Sequence, residues 1–206
     1  GIELVRGFLN IKLSRLSVSR YVLDKILREK ENYGFSQIGK NLVTVIDYSS
    51  PNIAKPFSVG HLRSTIIGEA LANLYEKCGY KVIRINHLGD WGTQFGKVIV
   101  AYQKWGEKDV IEKDPINELL KLYVLFNERA KEDEQLEAEA RFAFSELEKG
   151  NPEYLALWKW FRDVSVRDLE KMYELLGIHF DFYHGESFYF DKMDSVIQEL
   201  EAKKIL

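Results

Sequence analysis

Leu42-Val43-Thr44-Val45-Ile46-Asp47-Tyr48 is followed by Ser49-Ser50-Pro51-Asn52-Ile53-Ala54-Lys55-Pro56-Phe57-Ser58-Val59-Gly60-His61, and the architecture turns on this passage. The opening run is β-branched and apolar with hardly a break, the composition of a parallel strand buried on both faces. A loop carrying Pro51 and Pro56 comes next. From about Ser58 to Lys77 the residues Leu62, Ile66, Ala70, Leu71, Leu74 and Tyr75 recur at three- and four-residue spacing, which predicts a helix, and Gly79 stands just past its end. Lys81 to Asn86 predicts a second strand, running into Leu88-Gly89-Asp90-Trp91-Gly92. Strand, helix, strand in that order makes a right-handed crossover and a parallel sheet, so the fold class is α/β.

Working outward, residues 1–13 alternate loosely and predict a strand or the tail of a small sheet. Ser17 to Lys30 carries a helical stripe (Val18, Tyr21, Val22, Ile26, Leu27) with Ser17 or Ser19 as its expected cap, and 31–41 reads as a linker. Downstream the pattern turns helical. Phe95 to Gly106 predicts one helix and Pro115 to about Lys149 two, around the acidic stretch 132–139. Pro152 to Leu176 is the strongest, with Leu155, Trp158, Phe161, Val164, Leu169, Met172 and Leu176 in register and Gly177 as its stop. Ile178 to Phe182 and Ser187 to Phe190 read as short β-like runs, and Met193, Val196, Ile197 and Leu200 restart a helix that is expected to run to the chain end.

The chain has 206 residues, 46% of them apolar, which allows one sizeable core or two small ones and excludes a disordered chain. A single cysteine, Cys78, excludes an internal disulfide framework and a Cys-rich metal site, and suits a reducing, cytoplasmic setting. No apolar run is long enough to span a bilayer, so no membrane is expected as a partner. With Gly1 first and Leu206 last, the chain is expected to be an excised piece of something larger. Its formal charge of −3 is unevenly spread, with balances of +4 over 1–40, +2 over 41–97, −5 over 98–150 and −4 over 151–206. A basic leading half is compatible with a polyanion partner and equally with plain solvated surface.

In open α/β sheets, ligands bind beyond the carboxyl ends of the strands, where helix N-termini offer free N–H groups and a positive dipole end. Residues 47–61 occupy that place here, without either of the glycine-rich phosphate-loop patterns. Gly60, lacking a Cβ, lets a flat ring lie against the backbone. His61 can donate a hydrogen bond to an anion above the helix end, and Lys55 adds a fixed positive charge on the same loop. Together they suit a purine nucleotide and its phosphates. The competing reading is a glycine kept for helix packing and an ordinary surface histidine.

The run Ser49 to Thr65, with Gly60-His61 inside it, closely resembles the ATP-binding region of the class I aminoacyl-tRNA synthetases, specifically the arginyl-tRNA synthetase family. The resemblance continues through Arg84-Ile85-Asn86-His87-Leu88-Gly89-Asp90-Trp91-Gly92-Thr93-Gln94-Phe95-Gly96 and on to Phe182-Tyr183-His184-Gly185-Glu186-Ser187, so it covers essentially the whole chain. It implies a Rossmann-like parallel sheet, here its first half only, with a helical insertion. The implied organisation is 1–40 for the end of a tRNA-contacting domain plus linker, and 41–104 for the first half of the nucleotide fold. The helical insertion would be 105–176, and 177–206 a truncated return to the catalytic fold.

By the same resemblance, Ser58, Gly60, His61 and Lys55 line the ATP site, with His61 and Lys55 as the catalytic charge-stabilising pair. The first position of the motif, usually His, is Ser58, which can donate a hydrogen bond but carries no charge. Asp47, Ser50 and Asn52 match positions that contact L-arginine, and Glu186 the carboxylate facing its guanidinium. Physical chemistry agrees on that carboxylate: arginine is a planar fork of donors that cannot be deprotonated, and a selective pocket needs acceptors set for it. Glu186 follows Gly185 on what reads as a short turn between the two β-like runs. Asp90 and Trp91 are either near the ligand crevice or turn and packing residues.

The implied reaction joins L-arginine to tRNA-Arg through an arginyl-adenylate formed with ATP and Mg2+, the cation riding on the phosphates, with no metal site in the protein. The intact enzyme is expected to be monomeric. Lys192-Met193-Asp194-Ser195 has a superficial likeness to the second class I motif but precedes a helix in the wrong half, so that motif is expected beyond Leu206 and the chain alone is expected to be inactive. The alternatives are a synthetase-like module that binds arginine or tRNA without catalysis, and a small-molecule nucleotidyltransferase on the same fold.

Overall fold

A computed structural model describes residues 1–206. The chain opens with an antiparallel hairpin of β1 (Ile2–Val5) and β2 (Phe8–Ile11), turned at Arg6 and Gly7, both at positive φ as a two-residue hairpin loop requires. Helix α1 (Arg15–Glu29) follows, and its cap is Ser14, whose Oγ accepts from Ser17 N at 3.4 Å. Ser17 and Ser19, expected as caps, lie inside the helix; Ser14 has the extended backbone that a cap needs. Neither the hairpin nor α1 buries a single residue.

The predicted crossover is present. β3 (Val43–Asp47), α2 (Val59–Lys77) and β4 (Lys81–Ile85) form a βαβ unit with the strands parallel, in register from Val43 opposite Lys81 to Asp47 opposite Ile85. Arg84 fastens β4 to α2. Its side chain is 3% exposed, with Nη1 2.7 Å from Glu76 Oε1, Nε 3.4 Å from Glu69 Oε2 and Nη2 3.3 Å from Asn73 Oδ1. Those three acceptors share one face of α2. Tyr48 OH donates to the same Glu69 carboxylate at 2.5 Å, and burial pushes the phenol well above its usual range.

β3 departs from the expected strand buried on both faces. Ile46 packs on the core, but Val43 and Val45 on the other face are 57% and 58% exposed, because nothing in this chain covers them. On the far edge of β4, Asn86 N donates to Phe182 O at 2.9 Å and Phe182 N to Arg84 O at 3.2 Å. The run 178–182 thus contributes one parallel bridge, Ile85 to Phe182, and no full strand.

The downstream helices are α3 (Thr93–Trp105), α4 (Lys108–Lys113), α5 (Pro115–Arg129), α6 (Glu134–Glu148), α7 (Pro152–Leu176) and α8 (Met193–Ala202). Phe95, Ile99, Leu119, Phe126, Leu147, Phe161 and Leu169 form the centre of their shared core. α4 went unpredicted because six residues are too few to display a period. Gly177, at φ 68°, ends α7 as expected, and α8 closes at Ala202 short of the chain end. Ser187 to Phe190 is not a strand; Glu186–Lys192 is a 3-10 helix. Ser187 N and Oγ are both bound to Asp90, and the rings of His184 and Phe188 stack at 3.9 Å, so tertiary contacts override the β propensity of these aromatics. No helix is long and apolar enough to cross a membrane.

Candidate active site

The loop after β3 holds three non-glycine residues in the left-handed region, Ser49 (φ 75°), Ser50 (φ 50°) and Ala54 (φ 59°). Each such residue costs on the order of 1–3 kcal/mol unless its surroundings over-determine it. For the two serines they do so through a polar network. Ser49 Oγ lies 2.8 Å from Tyr173 OH and 2.8 Å from Thr65 Oγ1, and Asn86 Nδ2 donates to Tyr173 OH at 3.0 Å. Ser50 N donates to Asn86 Oδ1 at 3.1 Å. Burial pushes the Tyr173 phenol upward, so it keeps its proton.

With the backbone so fixed, Ser50 Oγ reaches Asp47 Oδ1 at 3.2 Å, and both side chains face solvent at the strand tip. An open cleft of about 460 Å³ lies alongside, walled by Asp47, Ser50, Arg63 and Ser64 among others. Further along, Ile53 N donates to Gly89 O and Gly89 N to Pro51 O, each at 3.1 Å, which lays the Asn52 amide directly on Gly89. Lys55 projects from a bend in the same loop, exposed and in no hydrogen bond or ion pair, just after the buried anchors Ile53 and Ala54.

The first turn of α2 is built as a reciprocal cap. His61 N donates to Ser58 Oγ at 3.4 Å and Ser58 N to His61 Nδ1 at 3.0 Å. Because a backbone N–H can only donate, Nδ1 is the acceptor and Nε2 carries the ring proton. Ser58 Oγ is itself 3.1 Å from Nδ1, so the hydroxyl expected at the phosphates is engaged in capping and in orienting His61. Gly60 lies between them. A Cβ there would meet only Ser58 Oγ, at 3.4 Å, and its φ is not left-handed. Nothing in this chain, neither packing nor backbone conformation, calls for glycine at this position.

Glu186 sits at the start of the 3-10 helix, not on a turn between strands, and is exposed. Its Oε2 accepts from Trp91 N at 3.3 Å and its own N donates to Leu88 O at 3.0 Å. The segment 88–91 therefore has Asn52 against Gly89 and Glu186 against Leu88 and Trp91, which draws two of the expected arginine-contacting residues to one place. Asp90, left open between ligand and packing roles, is fully buried with its carboxylate saturated by Arg162 Nε at 2.9 Å, Ser187 N at 2.8 Å and Ser187 Oγ at 2.9 Å. It is a packing and anchoring group. No group of three or more His, Cys, Asp or Glu side chains is arranged to hold a metal ion.

Residues 22–206 match the family described as tRNA synthetases class I (R), catalytic domain. The chain belongs to that arginyl-tRNA synthetase family. The arginine–tRNA ligase of Enterococcus faecalis is 54% identical over 205 residues, covering 100% of this chain and 36% of that protein. The enzyme of the same name from Clostridioides difficile is 53% identical over 200 residues, 97% of this chain and 35% of the relative. The crystal structure of arginyl-tRNA synthetase from Plasmodium falciparum superposes with a TM-score of 0.73 at 28% identity, over 99% of this chain and 36% of that one. The chain thus spans about a third of the length of the curated relatives it matches.

Of the residues named from sequence for the two substrates, Asp47 is in contact with Ser50 and Ser58 with His61, while Lys55 makes no hydrogen bond to the ATP set and Glu186 none to Asp47, Ser50 or Asn52. Asn86, Tyr173 and Arg162 were missed. Arg162 was detectable in principle, since it stands four residues after Trp158 within the apolar stripe of α7, where a lone charge demands a partner.

Proposed function

We propose that this chain is the leading part of the catalytic region of an arginine–tRNA ligase, a longer protein that works as a cytoplasmic monomer. It forms arginyl-adenylate from L-arginine and ATP, then passes the arginyl group to the 3′-terminal ribose of tRNA-Arg. In this reading 1–40 ends a tRNA-contacting domain, 41–104 and 177–206 belong to the nucleotide fold, and 105–176 is its helical insertion. The observation that carries the proposal is the bare surface at Gly60, a glycine that nothing in the chain requires, beside His61 at a helix N-terminus with its Nδ1 taken by the cap.

ATP lies with its ring over Gly60 and its phosphates toward His61 Nε2 and Lys55, entering as its Mg2+ complex with the cation on the phosphates. The arginine side chain reaches Glu186, and Asp47, Ser50 and Asn52 hold its other polar groups. A carboxylate oxygen of arginine bonds to the α-phosphorus as the bond to the β-phosphate bridging oxygen breaks, and pyrophosphate leaves with that electron pair. The ribose hydroxyl then attacks the acyl carbon and AMP departs. No protein nucleophile is needed; the work is alignment and stabilisation of phosphate charge by His61 and Lys55. Glu186 gives selectivity because lysine, a point charge, leaves acceptors of the pocket unpaired.

The test is arginine-dependent ATP–pyrophosphate exchange by the full-length protein, with and without tRNA-Arg. Exchange that requires arginine and falls at least about 100-fold in Glu186→Gln is the expected result. Arginine-independent exchange would indicate a nucleotidyltransferase. The engagement of Ser58 Oγ in the cap favours one second reading, a binding module without activation chemistry. Arginine binding without any exchange would establish it.

A further inference from the structure

We infer that Arg162 on α7 is a positioning residue for the arginine-reading carboxylate, acting through Asp90; this rests on the reading of Glu186 given above. Glu186 itself is exposed; its backbone is tied to Leu88 O, but the only hydrogen bond of its side chain is the 3.3 Å one from Trp91 N. Its neighbours on both sides are fixed as well. Before it, Gly185 is pressed so closely on Asp90 that a Cβ would lie 2.5 Å from the carboxylate carbon. After it, Ser187 gives both its N–H and its hydroxyl to the Asp90 carboxylate, at 2.8 and 2.9 Å.

Asp90 is 0% exposed and needs a charge partner in that setting, which Arg162 supplies through Nε at 2.9 Å. The same guanidinium spends Nη2 on Tyr183 O at 3.3 Å, three residues before Glu186. Asp90 O accepts from Trp158 Nε1 at 2.7 Å, a second tie to α7. The planar fork is what allows one side chain to hold a carboxylate and a backbone carbonyl together; a lysine ammonium offers no such fixed geometry. Two bonds of this cluster, those of Tyr183 O and Ser187 N, fall on backbone within three residues of the solvent-facing Glu186 carboxylate, one on each side of it.

The experiment uses the full-length enzyme and steady-state exchange, with Arg162→Met, Arg162→Lys, Glu186→Gln and the Arg162→Met/Glu186→Gln double variant. Arg162→Met is expected to raise KM for arginine at least about tenfold while KM for ATP stays within about twofold, with Arg162→Lys intermediate. In the Glu186→Gln background the Arg162 change is expected to add less than about twofold, since its target is already gone. Equal effects on both substrates, or effects that multiply in the double variant, would overturn the inference and leave Arg162 a structural residue. A large Glu186→Gln effect with none from Arg162 would overturn it alone, whereas no effect of Glu186→Gln would overturn the reading of Glu186 as well. Where Arg162→Met does not fold, Arg162→Lys carries the same comparison, because it keeps the charge beside Asp90 and removes the planar fork that also holds Tyr183 O.

Discussion

Two glycines separate function from architecture. At Gly60 an added Cβ meets only Ser58 Oγ at 3.4 Å, whereas at Gly185 it would lie 2.5 Å from Asp90 Cγ and Oδ1. Gly60→Ala is therefore expected to leave stability unchanged or raise it by up to about 1 kcal/mol, alanine being the better helix former, while KM for ATP rises about tenfold or more. Gly185→Ala is expected to lose about 1–3 kcal/mol of stability in urea unfolding, because the methyl must displace a bonded carboxylate. A Gly60→Ala enzyme with unaltered ATP kinetics would remove the main support for the nucleotide site. At this scale the sequence was legible for the start of α2 near Ser58, where the spacing and the loop before it agree. It was opaque where partners lie far apart along the chain. Asp90 and Arg162 are 72 positions apart and Ser49 and Tyr173 are 124 apart, and no local pattern announces either pairing.

Among the elements, β3, α2, β4 and α7 were readable because strand composition, helical spacing and stop signals agree, and the aromatic run 187–190 misled because its shape is imposed by Asp90. α2 rests on its cap: Ser58→Ala is expected to cost about 1 kcal/mol, read from the urea midpoint, with a loss of His61 orientation visible in its imidazole NMR shifts. It also rests on Arg84. The hydrogen bond from that guanidinium holds the Glu76 carboxyl below its ordinary value of 4.5. A lowered folded value means the stabilisation is complete above the ordinary carboxylate range and is lost as pH falls through the lowered value. Urea midpoints taken from about pH 6 to about pH 3 are expected to fall, and to fall less steeply in Glu76→Gln. α7 is a spacer between two parts of the site: Arg162 holds the Glu186 side and Tyr173 the Ser49–Asn86 side, about three turns apart on one face. One residue inserted between them rotates one anchor by about 100°, so exchange activity is expected to collapse. A residue inserted in the turn at Lys149-Gly150-Asn151 is expected to be tolerated.

For the molecule as a whole, the core is confined to the region between β3 and Ile178. Val43 and Val45 on the bare face of β3, Leu62, Ile67 and Leu74 on α2, and Met193 and Val196 on α8 all face solvent, as does every residue of the opening hairpin. The outer edge of β3 has no partner strand. As an isolated species the 206-residue chain is expected to self-associate, with the weight-average mass from sedimentation velocity rising between about 5 and about 100 μM. A constant monomer mass over that range would show that these faces are tolerated in water. The hydroxyl of Tyr173 that closes the loop after β3 belongs to a residue made 124 positions later than Ser49. At roughly 5–20 residues per second, a ribosome delivers it about 6 to 25 s after the loop itself. Through that interval β3, α2 and β4 can pair as a local unit, with Thr65 beside Ser49 and Asn86 beside Ser50, but the Tyr173 hydroxyl that joins Ser49 to Asn86 is still missing. The nascent protein therefore acquires its strands first, and the last tie on the loop after β3 only when the end of α7 has left the exit tunnel.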